Sequence, residues 1–222
     1  MTISRKILNV LFVLLLMNTL CVSVPMVAAT EFPATAEETM PLKTGDNAPS
    51  FTVRTVAGEA FSFEPTSLQN PVVLISFRGG WCPYCNLHLS ELRTVIPDVE
   101  KLGFDVLFIS NDRPEILYSS LKNETKDDIE ALDYTILSDA DLSAATAFGT
   151  AFMAADALVA WLDRSEKDYD NSSIANHGAL AVPSVYIVDS DGMIVFDYVN
   201  ADYKVRLEAD AVLAAANKAL NN

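Results

Sequence analysis

Histidine and cysteine are scarce in this chain of 222 residues: there are two of the first and three of the second. A structural zinc site needs four such ligands, so His88 and His177 would both have to converge on one cysteine pair. Basic residues are also few, 15 against 30 acidic, for a formal charge of −15. A surface that negative repels phosphates, which argues against nucleic acid or anionic membrane as partner. Internal repeats, low-complexity stretches and nucleotide, haem or flavin motifs are missing, so no cofactor is expected.

Only one long apolar run is present, from Ile7 towards Val24. Arg5 and Lys6 precede it, and Val27-Ala28-Ala29 fits a small-residue cleavage site. Residues 1–29 read as a secretory signal peptide cut after Ala29, which places the protein outside the cytoplasm, in a periplasm or the extracellular space. The competing reading is an uncleaved anchor that tethers the chain to a membrane. Asn18, Thr19 and Ser23 dilute the run and favour cleavage, and Leu20 is not the small residue that lipid attachment at Cys21 would want. Cleavage removes two basic residues and no acidic ones, taking the charge from −15 to −17. It also removes Cys21, leaving Cys82 and Cys85 as the mature chain's cysteines.

Residues 30–42, "TEFPATAEETMPL", have no periodic apolar face and read as a flexible leader. Residues 43–222 form one domain, of ordinary size for a single core. "FTVRTV" and "FSF" flank Ala57-Gly58-Glu59 and predict a hairpin. "VVLISF" (72–77) and "DVLFIS" (105–110) are continuous apolar runs of strand length, suited to burial on both faces. Between them, apolar spacing predicts a helix from Pro83 to about Leu102, closed by Gly103. Strand, helix, strand in this order makes a right-handed crossover with parallel strands. Further on, helices are expected from Pro114 through Lys126, over "LSAATAFG" to Gly149, and over 151–164, with a short strand at 134–137. The stretch "KDYDNSSIANHGALA" reads as polar and irregular. "VPSVYIVDSDGMIVFDYV" reads as a hairpin turning at Asp191-Gly192, and "RLEADAVLAAANKAL" as a closing amphipathic helix. This order is the thioredoxin-like α/β arrangement, a mixed central sheet with helices on both faces.

The chemistry concentrates in "RGGWCPYCNLHL", residues 78–89, where a strand ends and a helix begins. Pro83 suits a first helical turn, which puts Cys82 at the N-cap and Cys85 within that turn. Unpaired N–H groups and the positive end of the helix dipole then face both sulfurs and favour thiolate, the reactive form. Arg78 adds a nearby cation, Gly79-Gly80 permits close backbone approach, and Trp81 and Tyr84 would form an apolar rim. A structural staple is disfavoured, because a two-residue spacer closes too small a loop to stabilise much. His88, one turn after Cys85, reads as a half-exposed helix histidine. Redox chemistry is the better reading of the pair.

The segments "GDNAPSFTV", "GEAFSF", "VVLISFRGGWCPYCNLHLSELR", "VLFISND" and "VPSVYIVDSDGMIVFDYVNADYKVR" together resemble the peroxiredoxin-like branch of the thioredoxin superfamily. This is the alkyl hydroperoxide reductase and thiol-specific antioxidant group, and the resemblance spans about residues 44–206. It implies a thiol peroxidase, but three positions depart from the group's pattern. The peroxidatic cysteine falls on Cys85, the preceding hydroxyl residue becomes Cys82, and the signature proline becomes Arg78. The group's distant arginine falls on Pro183, where thioredoxins carry a cis-proline that shapes the substrate site. Ser76 stands where thioredoxins bury an acid.

Two mechanisms follow from the resemblance, and both end in a redox-active Cys82–Cys85 disulfide. In one, Cys85 reduces hydrogen peroxide or an organic hydroperoxide, Arg78 assists, Cys82 resolves, and an external dithiol such as a thioredoxin-like protein restores the pair. In the other, Cys82 attacks a protein disulfide and Cys85 resolves. Trp81, Tyr84 and Pro183 are the expected substrate contacts.

Overall fold

The computed structural model describes residues 32–117 and 135–221. A seven-stranded mixed sheet forms the centre. Its strands are β1 (Phe51–Arg54), β2 (Ala60–Phe63), β3 (Val72–Phe77), β4 (Asp105–Ser110), β5 (Thr135–Ser138), β8 (Ser184–Val188) and β9 (Ile194–Val199), in spatial order β2-β1-β5-β4-β3-β8-β9. Strands β3, β4 and β5 run parallel, while β8 and β9 continue the sheet antiparallel on the other side of β3. Side chains alternate between the faces of a strand. Val73, Ile75 and Phe77 therefore join one core, and Val72 and Leu74 join the other.

The first core draws on α1 (Pro83–Leu92), α2 (Ile96–Lys101) and α6 (Ala209–Ala219), with Leu162 and Ile174 added from two further helices. On the opposite face lies α3 (Ser143–Ala147), with Ala144 and Phe148 against Leu74 and Tyr186. Helices thus cover both faces, as the pattern of apolar runs predicts. The β1–β2 hairpin, the parallel crossover and the β8–β9 hairpin also form where expected, the last turning through Asp189 and Gly192.

Four local expectations give way to tertiary structure. The helix expected over 83–102 is two helices, because Pro97 has no N–H to donate to the Arg93 carbonyl and its ring would crowd that carbonyl. In the segment read as helix over 151–164, Ala151–Met153 forms strand β6, and only Asp156–Arg164 is helical (α4). The partner of β6 is β7 (Ala179–Ala181), which with helix α5 (Ser173–His177) orders much of the stretch expected to be irregular. A short apolar run does not distinguish helix from strand by periodicity, and pairing across 25 intervening positions decided it. Residues 32–42, expected as a flexible leader, lie against the domain. Ala36 is buried, Leu42 N–H donates to the Phe148 carbonyl, and Met153 N–H donates to the Pro33 carbonyl. Single apolar side chains there fill separate gaps, so no periodic face was needed. The helix expected through Lys126 falls mostly outside the described residues, as do the signal segment and the alternative anchor. Among the described residues no helix is long and apolar enough to cross a membrane.

Candidate active site

The site forms where β3 runs into α1. After Phe77 the chain turns through Gly79, at φ +146°, a region that strongly favours glycine. A side chain there would also collide with the Asp112 carboxylate and the Trp81 indole. Asp112, just past the end of β4, is fully buried and accepts the Gly80 N–H at 2.9 Å. Asn86 closes the loop from the other side, donating its amide to the Gly80 carbonyl at 2.7 Å and to the Cys82 carbonyl at 3.0 Å. The active-site loop is therefore clamped at Gly80 by both neighbours.

Cys82 caps α1: its Sγ accepts the Cys85 N–H at 3.3 Å, and its carbonyl accepts the Asn86 N–H. Cys82 and Cys85 are joined in a disulfide, and each is only 1% exposed. The second sulfur has a partner from far along the chain. Arg206 lies on the irregular segment between β9 and α6, and its Nη2 donates to Cys85 Sγ at 3.3 Å. Burial lowers the Arg206 pKa to about 10, so it stays cationic at neutral pH.

Arg78, the cation expected beside the sulfur, packs its guanidinium against aromatic rings. It is buried, with its guanidinium 4.1 Å above the Tyr203 ring and 5.8 Å from that of Phe152. Burial first, and the Arg206 charge second, bring its pKa to about 10. Its Nε has no hydrogen-bond partner among the described residues. Trp81 is likewise a core residue rather than a rim, 8% exposed and tilted against Trp161. Tyr84 is exposed as a rim residue should be, and meets Tyr203 edge to face. Pro183 is buried at the start of β8 beside Val182, whose carbonyl accepts a long 3.5 Å bond from Ser76 Oγ. The peptide bond before it is trans, so the cis geometry of thioredoxins is not reproduced here.

His88 is buried, not half-exposed, and its Nε2 meets the Leu207 carbonyl at 2.9 Å. Burial, then the Arg206 charge, push its pKa down to about 4. His177 is exposed at the end of α5. Among the described residues no three His, Cys, Asp or Glu side chains converge as metal ligands would.

Sequence reasoning missed Arg206, Tyr203, Asp112 and Asn86. Signals for them were present: "DYVNADYKVR" and "VLFISND" lie in the segments that carry the family resemblance, and Asn86 directly follows the second cysteine.

Comparison with known proteins bears on the family and the fold. The model of the AhpC/TSA family matches residues 44–197. Peroxiredoxin Bcp of Escherichia coli is 31% identical over 176 residues, covering 78% of this chain and 94% of that protein. Thiol-disulfide oxidoreductase ResA of Bacillus thuringiensis is 21% identical over 167 residues, covering 75% of this chain and 76% of that protein. Among solved structures, reduced Prx3 of Vibrio vulnificus in complex with hydrogen peroxide shares the fold with a TM-score of 0.60 at 17% identity, over 79% of this chain and 99% of the other.

Proposed function

This chain belongs to the AhpC/TSA family and is an oxidoreductase of the thiol peroxidase kind, and we propose that it works outside the cytoplasm with Cys85 as the attacking sulfur and Cys82 as the resolving one. The observation that carries the assignment is the Arg206 guanidinium on Cys85 Sγ. A charged donor favours a thiolate about twice as strongly as a neutral one, whereas the donor seen on the sulfur of Cys82 among the described residues is a backbone N–H.

In the reduced enzyme the Cys85 thiolate attacks one oxygen of the peroxide. The O–O bond breaks, Cys85 becomes a sulfenic acid, and the departing oxygen leaves as water or alcohol after taking a proton. The Cys82 thiol then attacks the Cys85 sulfur, expelling water and forming the observed disulfide. An external dithiol of the thioredoxin type supplies two electrons and two protons to restore the pair. The substrate is hydrogen peroxide or an organic hydroperoxide. Residues 1–29 support export, with processing after Ala29.

The test is peroxide consumption by the purified protein with a dithiol reductant. Cys85→Ser should abolish it, while reduced Cys82→Ser, freed of dithiol before peroxide is added, should consume one equivalent per chain and stop at the sulfenic acid. Full turnover by Cys85→Ser with none by Cys82→Ser would reverse the assignment. It would point to the second reading, a disulfide exchanger led by Cys82, which the Cys85 N–H on Cys82 Sγ favours. Export is tested by the N-terminal sequence of secreted protein, expected to begin at Thr30.

A further inference from the structure

From Asn200 to Glu208 the chain crosses the head of α1 without helix or strand. Besides packing of Ala201 and Leu207 against the core, four contacts tie the segment to the active-site side. The Tyr203 ring packs on Arg78 and Tyr84, Arg206 reaches Cys85, and the Leu207 carbonyl meets His88 Nε2. The first three are side-chain contacts. The fourth grips the backbone, and it does so at the residue next to Arg206.

His88 lies three residues after Cys85, hence on the same face of α1 and one turn further on. It is 5% exposed and fixed by its surroundings. A carbonyl only accepts, so the ring carries its hydrogen on Nε2, and the other nitrogen stays unprotonated at neutral pH. Reactive sulfur and clamp thus share one rigid helix, and the clamp holds the residue adjacent to the sulfur's cation.

We propose that His88 is a positioning residue for the peroxidase chemistry: its hydrogen bond to the Leu207 carbonyl sets where the Arg206 guanidinium sits, and so how strongly the Cys85 thiolate is favoured. This rests on the reading in which Cys85 attacks. His88 touches neither sulfur nor peroxide and acts through Arg206 alone.

The experiment uses the full chain with Cys21 and Cys82 both replaced by Ser, so that Cys85 is the single thiol. Its deprotonation is followed by ultraviolet thiolate absorbance, with circular dichroism confirming that each variant is folded. Losing the clamp is expected to raise the titration midpoint in His88→Ala by about 1 pH unit, the equivalent of one ordinary hydrogen bond's free energy. In His88→Gln, whose longer amide reaches the same carbonyl, the midpoint should return most of the way. In an Arg206→Ala background the His88→Ala effect should vanish, because the guanidinium it positions is gone. A folded His88→Ala with an unmoved midpoint overturns the proposal, as does an equal rise with Arg206 absent. Should His88→Ala not fold, His88→Asn replaces it: its shorter amide falls short of the carbonyl, and an unmoved midpoint there is equally fatal. Peroxide turnover is measured separately with Cys82 intact. A midpoint that responds to His88 in a protein inert towards peroxide would uphold the positioning role and refute the peroxidase reading.

Discussion

Replacing Arg206 by alanine tests the centre of this site, because its guanidinium is the cation the structure brings to Cys85, at 3.3 Å. In the disulfide that contact is a weak bond to neutral sulfur. In the reduced protein it becomes a charge-assisted bond to a thiolate, worth roughly 1.5–3 kcal/mol. At about 1.4 kcal/mol per pH unit, its loss should raise the Cys85 midpoint by about 1–2 pH units. The bare Coulomb attraction at this distance is larger, about 5 kcal/mol at an effective dielectric constant near 20. Part of it is spent in desolvating Arg206, whose own pKa falls to about 10. Stopped-flow mixing of reduced protein with hydrogen peroxide, read by tryptophan fluorescence, gives the second-order rate across pH. Near neutral pH the rate should drop by about 10–100-fold if the new midpoint lies well above the working pH. A deficit that persists at high pH, where all Cys85 is thiolate, measures the separate help Arg206 gives to the departing oxygen. Arg206→Lys should fall between, since it keeps the charge but loses the planar fork. If a folded Arg206→Ala kept both midpoint and rate while Arg78→Ala lost them, Arg78 would be the working cation and the assignment from geometry would be wrong.

The buried His88 makes stability acid-sensitive. Its folded pKa of about 4 lies below the ordinary 6.5. The stabilisation from keeping it neutral is therefore complete above about pH 6.5 and is lost as pH falls towards 4, amounting to roughly 3 kcal/mol. Urea melts of the protein against His88→Gln between pH 7 and 4 should show that difference shrinking, and a constant gap would contradict it. Asp139 works in the opposite direction. Burial raises its carboxyl to about 7 despite backbone N–H groups of α3, so its contribution should decline as pH rises from 3.8 to 7. The carboxyl carbon shift in NMR reports this directly, and a midpoint near 4 would refute it. Gly79→Ala forces a side chain into a left-handed backbone and onto Asp112 and Trp81. About 1–3 kcal/mol of destabilisation is expected in a thermal melt, together with a slowed peroxide reaction.

Much of the fold was legible because its central elements announce themselves. The runs 72–77 and 105–110 are too apolar for a half-exposed strand, and the proline and cysteine spacing after the first marks a helix start. What stayed hidden depended on distance along the chain. Nothing in "AFM" reveals that it pairs with "ALA" at 179–181 rather than continuing a helix. Pro97 is different: it was readable, and its effect on the helix follows from elementary backbone sterics. The cysteines were legible for local reasons, since capping and helix dipole act within one turn. Arg206 was not, because 121 positions separate it from Cys85 and only the crossing of the β9–α6 segment over α1 brings them together. Arg78 looked like the natural cation because it is near in sequence, yet it spends its charge on an aromatic face.

The two arginines explain why such a site is built into so acidic a protein. With 30 carboxylates in the chain, buried guanidiniums would ordinarily find acidic partners. The Arg206 charge instead lowers the pKa of Arg78, with Asp202 acting in the opposite direction, and each arginine leaves its Nε without a hydrogen-bond partner among the described residues. Buried charge left uncompensated is costly. Asp202 offsets part of that cost at Arg78, and a neutral disulfide adds no anion to it. Reduction creates a thiolate at the contact Arg206 already makes, and that guanidinium then gains an anion. The cost of burying the cations thus falls on the oxidised state and is relieved in the reduced one. In the proposed cycle, that difference favours reduction of the disulfide by an external dithiol, and it favours the thiolate over the thiol once reduction has occurred. A peroxidase needs both in every cycle, whereas a structural disulfide would be better served by carboxylates beside those arginines.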